Sequence, residues 1–130
     1  MNIEIRKVNT RFDTRGNLSI IEAERDIPFA IKRVFYIWEN TENYPRGGHA
    51  HKELFQAFVC MRGESRLKIT DGKETREIVL DTPIYCVTVA PGLWVDIDGF
   101  SRDCVLMVLA SETYDESDYI RDYDEYLKYV

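Results

Sequence analysis

Apolar and polar residues alternate in short segments along most of this chain, which is the pattern of β-strands. Glycine, proline and charged residues separate the segments. The Asp71-Gly72 pair lies between two such segments and predicts a β-hairpin. About eight strands are expected, over residues 2–8, 18–23, 31–38, 54–61, 66–70, 77–80, 84–90 and 104–110, with a polar loop over residues 39–48.

The pattern changes to a helical period near the end of the chain. Apolar residues recur there at a spacing of three to four, and Asp115 and Ser117 are candidate N-caps. We therefore predict a barrel or sandwich over residues 1–114 and a helix over residues 115–130. At 130 residues the chain fits a single all-β domain with one C-terminal helix.

Composition narrows the classes of function. The formal net charge of −6 argues against a nucleic-acid or anionic-membrane surface, although it allows a local basic pocket for a phosphorylated ligand. Cys60, Cys86 and Cys104 lie in apolar runs and are expected to be buried and reduced. Neither a leader segment nor a long apolar run is seen, so we expect a cytoplasmic protein without a membrane partner.

Both histidines of the chain lie one residue apart, in the segment RGGHAHK. If this segment enters a strand, His49 and His51 point to the same face of a sheet. The pair could bind a metal ion or transfer protons. A catalytic metal usually needs a third protein ligand, for which only Glu53 or Asp96 would be at hand. We therefore favour a metal-free acid–base site without a cofactor.

The same segment resembles the first motif of the cupin superfamily, in which HxH is followed by a glutamate and a glycine. The glycine corresponds to Gly63, but the glutamate position holds Gln56. The second cupin motif follows a PxG turn and supplies another histidine. Here the turn is Pro91-Gly92, and Val95 stands where that histidine is expected. The resemblance implies a cupin-type double-stranded β-helix, or jelly roll, that lacks two of the usual metal ligands.

A closer resemblance extends over nearly the whole chain. RGGHAHK, preceded by IKRVFYI and followed by a tail reading VLASETYDESDYIRDY, is similar to the sugar nucleotide 3,4-ketoisomerases of the FdtA/QdtA or WxcM type. This resemblance implies isomerisation of dTDP-4-keto-6-deoxy-D-glucose to its 3-keto isomer, on the way to 3-amino-3,6-dideoxy sugars. It also implies a metal-free homodimer that exchanges N-terminal strands. The edge-like strand at residues 2–8 would suit such an exchange.

The chemistry implied needs an acid and a base but no redox cofactor. We assign His49 and His51 jointly as the acid–base pair, with His49 favoured for carbon deprotonation by family analogy. Arg33 and Tyr36 lie on opposite faces of one strand, and either could polarise the sugar oxygens. Gln56 is interpreted equally well as an active-site amide or as a core amide.

The nucleotide requires cations for its pyrophosphate and aromatic rings for its base. The candidates for the pyrophosphate are Arg15, Arg46, Lys52 and Arg121. The candidates for stacking or lining are Trp94, Phe100 and Tyr119. Relatives can carry histidine at the position of Val95, so the stereochemistry of the product at C4 stays open.

Two other functions remain possible at this stage. One is a sugar nucleotide 3,5-epimerase, a related cupin activity. The other is a non-catalytic cupin that binds a nucleotide sugar. Deuterium incorporation from solvent at C3, at C5 or at neither carbon separates the three hypotheses.

Overall fold

A computed structural model describes residues 1–41 and 44–130. The chain forms two five-stranded antiparallel sheets, a separate hairpin and one short helix. Residues 42 and 43 of the predicted polar loop lie outside the described residues. The elements are β1 Ile3–Lys7, β2 Asn9–Asp13, β3 Gly16–Ile20, β4 Arg33–Trp38, β5 Arg46–His51, β6 Gln56–Arg62, β7 Ser65–Thr70, β8 Thr75–Leu80, β9 Tyr85–Val89, β10 Trp94–Asp98, β11 Val105–Ala110, β12 Tyr119–Ile120 and α1 Tyr123–Tyr129.

The order of the strands confirms the predicted all-β, cupin-type jelly roll. The first sheet has the order β1-β9-β6-β11-β4, and the second has the order β12-β5-β10-β7-β8. Successive strands repeatedly cross from one sheet to the other, as in a jelly roll. The second five-stranded sheet contains β5, so both histidines are on a strand, as the sequence interpretation assumed.

The main core lies between the two sheets. Phe58 and Leu106 of the first sheet pack there against Leu67 and Ile69 of the second, all at most 1% exposed. Strand β6 is buried on both faces, because the segment containing Ile27 and its neighbours covers the outside of the first sheet. This double burial explains why residues 54–61, where a strand was predicted, are almost all apolar.

The N-terminal region differs from the prediction in one respect. Residues 9–13 form a strand that the sequence pattern missed, since Phe12 is its only large apolar residue. Strands β2 and β3 form a hairpin closed at Asp13 and Gly16, where the Asp13 carboxylate accepts a hydrogen bond from the backbone N–H of Arg15. Within the described residues this hairpin pairs with no other strand. Strand β1 pairs with β9 of the same chain.

The C-terminal helix is shorter than predicted. A 3-10 turn occupies Glu116–Asp118, β12 pairs with β5, and α1 begins only at Tyr123 with Asp122 as its N-cap. The prediction of a helix over residues 115–130 was therefore wrong in its first half. The reason is tertiary, because Ile120 is buried against Ala50 and Trp94 as part of a strand and not as part of a helix.

Two smaller predictions are confirmed, those of the Asp71-Gly72 hairpin and of the buried cysteines. Strands β7 and β8 form the hairpin expected around Asp71-Gly72, with a loop of four residues in which the Asp71 carboxylate accepts two backbone N–H groups. Cys60, Cys86 and Cys104 are free and buried. In the described ranges, no helix has the length and apolar character that crossing a membrane would require.

Candidate active site

A cavity of about 550 Å³ opens between the two sheets and holds half of the predicted site residues. Strands β4 and β6 form one wall, and strands β5, β10 and β12 form the other. Apolar side chains such as Phe35, Phe58 and Val95 form its lining together with polar ones. The predicted site residues that border the cavity are Tyr36, Arg46, His49, Gln56, Tyr119 and Arg121.

A bulge at the glycine pair brings both Arg46 and His49 to this cavity. Strand β5 pairs with β10 at His49 and Val95, and the register shifts at the next residue, so β5 holds one extra residue. Gly47 has φ +79°, and a Cβ atom there would lie 2.6 Å from the carbonyl oxygen of Val95. Only glycine fits this close backbone approach. The pair therefore shapes the strand so that residues three positions apart reach the same side.

His49 is a cavity-lining imidazole held in its neutral form. Desolvation, followed by the proximity of His51 and Arg121, lowers the pKa of His49 to about 4. Its Nδ1 atom is buried and has no hydrogen-bond partner among the residues that the structure describes. A neutral imidazole at the wall of a cavity is able to accept a proton from a bound substrate.

His51 lies behind His49 and is only 3% exposed. The two rings meet edge to face, with centroids 4.9 Å apart. Nδ1 of His51 is 2.9 Å from Oδ2 of Asp118, and Oδ1 of Asp118 accepts a hydrogen bond of 2.7 Å from the backbone N–H of Glu53. Burial lowers the pKa of His51, and the hydrogen bond to Asp118 opposes that shift.

The segment that precedes helix α1 supplies the rest of the polar wall. The Tyr119 ring contacts both imidazoles, with centroids 4.9 Å from His49 and 4.3 Å from His51. The guanidinium of Arg121 lies 4.2 Å over the Tyr119 ring and donates two hydrogen bonds to Glu116. This ion pair raises the pKa of Arg121 and lowers that of Glu116. Arg121 is thereby oriented at the edge of the cavity.

Arg33 and Arg46 occupy two further positions near the histidines. Arg33 does not line the cavity, and its guanidinium lies 5.7 Å over the Tyr114 ring, close enough to His51 to lower the pKa of that imidazole. Arg46 lines the cavity, and its Nε donates a hydrogen bond to Oδ1 of Asn40. Of these two cations, Arg33 acts on His51 and Arg46 lines the cavity.

The other predicted residues lie elsewhere in the structure. Trp94 packs against helix α1, with its ring centroid 5.1 Å from that of Tyr123, and Phe100 is part of the core between the sheets. Lys52 is exposed, and Arg15 is at the tip of the β2–β3 hairpin with 89% of its side chain exposed. Tyr36 borders the cavity but is 63% exposed, on the face of β4 opposite Phe35.

The two residues considered as a third metal ligand, Glu53 and Asp96, do not form a metal site with the histidines. Glu53 is exposed, and Asp96 accepts a hydrogen bond from the indole N–H of Trp94. Across residues 1–41 and 44–130, no group of three or more His, Cys, Asp or Glu side chains is placed to hold a metal ion.

Sequence reasoning missed Asp118, Glu116 and Asn40, each of which contacts a predicted site residue. Asp118 lies 67 positions from His51 in sequence and reaches it because β12 pairs with β5 at Tyr119 and His51. A strand of only two residues leaves no periodic signal. The sole hint in the sequence was the acidic tail itself, which was interpreted as the first turn of a helix.

The fold and the cavity define a cupin-type jelly roll in which one imidazole, that of His49, lines a cavity between the sheets and a second, that of His51, is buried beside it. The sequence profile of the family described as FdtA, WxcM-like, C-terminal, matches residues 1–130. The chain therefore belongs to this family. It is 50% identical over 118 residues to the TDP-4-oxo-6-deoxy-alpha-D-glucose-3,4-oxoisomerase of Aneurinibacillus thermoaerophilus, covering 91% of this chain and 85% of that relative.

Solved structures agree with this assignment. The sugar 3,4-ketoisomerase QdtA from Thermoanaerobacterium thermosaccharolyticum, in complex with TDP, superposes with a TM-score of 0.96 at 40% identity, covering 98% of this chain and 93% of that one. A 3,4-ketoisomerase from Helicobacter canadensis gives a TM-score of 0.96 at 39% identity, covering 99% and 97%. The dTDP-4-dehydrorhamnose 3,5-epimerase of Bacillus anthracis, at 13% identity and a TM-score of 0.79 over 91% of this chain and 77% of that one, shares the fold alone.

Proposed function

We propose that this protein is a 3,4-ketoisomerase that converts dTDP-4-keto-6-deoxy-D-glucose to its 3-keto isomer. The observation that carries the proposal is the neutral imidazole of His49 at the wall of a cavity edged by Arg46 and Arg121. A neutral base beside cationic groups suits a substrate with an acidic C–H next to a ketone and a pyrophosphate. The relatives named above act on, or bind, molecules of this class.

The reaction moves one hydrogen from C3 to C4. A base removes the C3 proton, the electron pair forms a C3–C4 double bond, and O4 takes up a proton to give an enediol. The O3 proton then leaves as C4 is protonated, which makes the C3 carbonyl. No electron leaves the sugar, so the reaction needs no redox cofactor, and we propose that it uses no metal. The sequence supports the metal-free proposal, since Gln56 and Val95 occupy positions where metal-binding cupins carry ligands.

We assign the roles of the site residues as follows. His49 is the base at C3, and His51 completes the acid–base pair from behind it. Arg46 and Arg121 are proposed to contact the pyrophosphate, and Tyr119 to line the sugar site. Gln56 faces the cavity, which favours its active-site interpretation. Tyr36 stays a candidate for oxygen polarisation, although its exposed position gives that role less support than the sequence alone did.

A homodimer is proposed from the unburied surface of the single chain. The β2–β3 hairpin exposes Phe12 and Leu18, and β4 exposes Val34, Tyr36 and Trp38 at the edge of the first sheet. Since β1 pairs with β9 of its own chain, β2 and β3 are the N-terminal strands left for exchange. Such an exchange would carry Arg15, at the hairpin tip, toward a second copy. It is the arrangement in which Arg15 could still bind substrate.

The location follows from the substrate class. Nucleotide sugars are made and modified in the cytoplasm, and we propose that this protein acts there. Neither a nucleic acid nor a membrane is proposed as a partner, because the net charge of −6 disfavours anionic surfaces.

An NMR time course in D₂O tests the proposed activity. With dTDP-4-keto-6-deoxyglucose and no added metal, we expect loss of the C3 proton signal and growth of the 3-keto isomer with deuterium at C4. Deuterium at C5 would indicate a 3,5-epimerase instead. Binding of dTDP without any exchange would indicate a non-catalytic protein, and stoichiometric iron or zinc in active protein would contradict the metal-free mechanism.

A further inference from the structure

Among the described residues, Asp118 is the one carboxylate that hydrogen-bonds to an imidazole of the site, and its two oxygens have two different partners. Oδ2 faces Nδ1 of His51 at 2.9 Å, and Oδ1 accepts from the backbone N–H of Glu53 at 2.7 Å. The backbone oxygen of Asp118 also accepts from the N–H of Lys52. Two hydrogen bonds to its side chain and one to its backbone therefore hold Asp118 at the end of strand β5.

This arrangement dictates which ring nitrogen of His51 carries the proton. A carboxylate at neutral pH has no hydrogen to donate, so the hydrogen bond to Oδ2 requires Nδ1 to be the donor. In neutral His51 the other nitrogen, Nε2, then has a free lone pair. The side chain is 3% exposed, so solvent cannot easily supply an alternative partner for Nδ1.

We propose that Asp118 is a positioning residue of the reaction, which holds His51 in the Nδ1–H tautomer so that Nε2 can accept a proton. The ionised carboxylate also stabilises the imidazolium that forms when Nε2 takes that proton. Arg33 and Arg121 act in the opposite direction on the same ring. Asp118 therefore opposes the two cations and the burial that disfavour a charged His51. The inference rests on the proposed isomerase function only where turnover is measured.

Asp118→Asn is a sharp test because asparagine has one oxygen and one NH₂ group. The oxygen is expected to keep the hydrogen bond from Glu53, since the opposite orientation would set two donors against each other. The NH₂ group then faces Nδ1 of His51, which must become an acceptor. His51 is thereby forced into the Nε2–H tautomer, with little change in the shape of the site.

Asp115→Asn is the matched control. Asp115 caps the same 3-10 turn by accepting from the backbone N–H of Ser117, and it is exposed outside the cavity. Asparagine caps about as well as aspartate, so this variant makes the same change in charge in the same segment without contacting His51.

The first measurement reads the tautomer directly. Since the chain has two histidines, protein labelled with ¹⁵N-histidine gives two ring patterns in a long-range ¹H–¹⁵N spectrum, and His49→Asn assigns them. We expect Nδ1–H for His51 in the unmodified protein and in Asp115→Asn, and Nε2–H in Asp118→Asn. An Nε2–H pattern for His51 in the unmodified protein overturns the proposal even if no variant folds.

The second measurement is kinetic. We expect Asp118→Asn to lower kcat about 100-fold or more while KM stays within about threefold, and Asp115→Asn to match the unmodified protein. A switched tautomer with unchanged kcat would overturn the role in the reaction. If the unmodified protein turned over no dTDP-keto sugar, the proposed function would fail. The tautomer measurement would still show whether Asp118 holds His51 in the Nδ1–H tautomer.

Discussion

The polar wall of the cavity makes its polar contacts within one chain, whereas the outer side of the first sheet leaves large apolar side chains exposed. In the polar wall, formed by His49, His51, Asp118 and Arg121, charged groups are paired within one chain. On the outer apolar face, formed by Val34, Tyr36, Trp38 and Met61, each side chain is between 47% and 63% exposed. A second cavity of about 440 Å³ lies between this side of the sheet and the β2–β3 hairpin.

The difference shows which functions one chain can supply alone. Orientation of the imidazole pair depends on contacts between β5 and the segment before α1, and a single chain makes all of them. A single chain does not bury the outer apolar face. Exposed apolar patches of this kind mark surfaces that bind another molecule. A second copy is the occupant that the proposed dimer provides. The predictions below test each side of this comparison.

Replacing His49 tests the polar wall with the largest expected effect. We expect His49→Asn to lower kcat by about 10³-fold or more, because the base that contacts C3 is lost. Exchange of the C3 proton in D₂O should stop as well. Affinity for TDP, measured by calorimetry, should change by less than about threefold, since the cationic residues remain.

Retained exchange of the C3 proton in His49→Asn would contradict the assignment of His49 as the base. Another residue would then have to remove that proton. Circular dichroism and the melting temperature serve as controls for folding.

The same comparison explains how far the sequence could lead. The apolar pattern predicted the five strands of the first sheet, and β7 and β8 of the second, because burial leaves a regular spacing of apolar residues along a strand. It missed β2 and β10, and it assigned the first residues of β5 to a polar loop. The HxH spacing was sufficient for two imidazoles on one strand. Helix α1 was predicted too long and Asp118 was missed, since β12 is stabilised by pairing with β5 and not by its own pattern. Trp94 was placed by its residue type alone, and its actual contacts are with α1.

A charge on the outer apolar face tests the other side of the comparison. We expect Val34→Glu to raise the dimer dissociation constant at least about 100-fold, because a buried, unpaired carboxylate is costly at an interface. Val79→Glu is the matched control. Val79 is also an exposed valine on an edge strand, β8 of the second sheet, at 57% exposure against 51% for Val34.

Sedimentation of both variants at micromolar concentration is the measurement. In a single chain Val34 is exposed, so the intrinsic stability of its glutamate variant should change by no more than about 0.5 kcal/mol. Equal behaviour of the two variants, or a monomeric unmodified protein, would contradict the proposed dimer.

Acid sensitivity is the smallest effect, and it belongs to the polar wall, since none of the four residues of the outer apolar face is a histidine, aspartate or glutamate. The pKa of His49 is lowered to about 4 in the folded protein, and an unfolded histidine has a pKa near 6.5. Between these values the unfolded chain binds more protons. Stability contributed by neutral His49 is therefore present above pH 6.5 and is lost as the pH falls toward 4.

With allowance for partial exposure, this loss amounts to about 1 kcal/mol between pH 7 and pH 5, or about 3 °C in melting temperature. Asn at position 49 cannot titrate, so the His49→Asn variant should lose correspondingly less stability over the same range. Melting curves of the two proteins at both pH values make the comparison. Equal losses would mean that His49 is protonated as readily in the folded protein as in the unfolded one. Acid sensitivity would then no longer distinguish the polar wall from the outer apolar face.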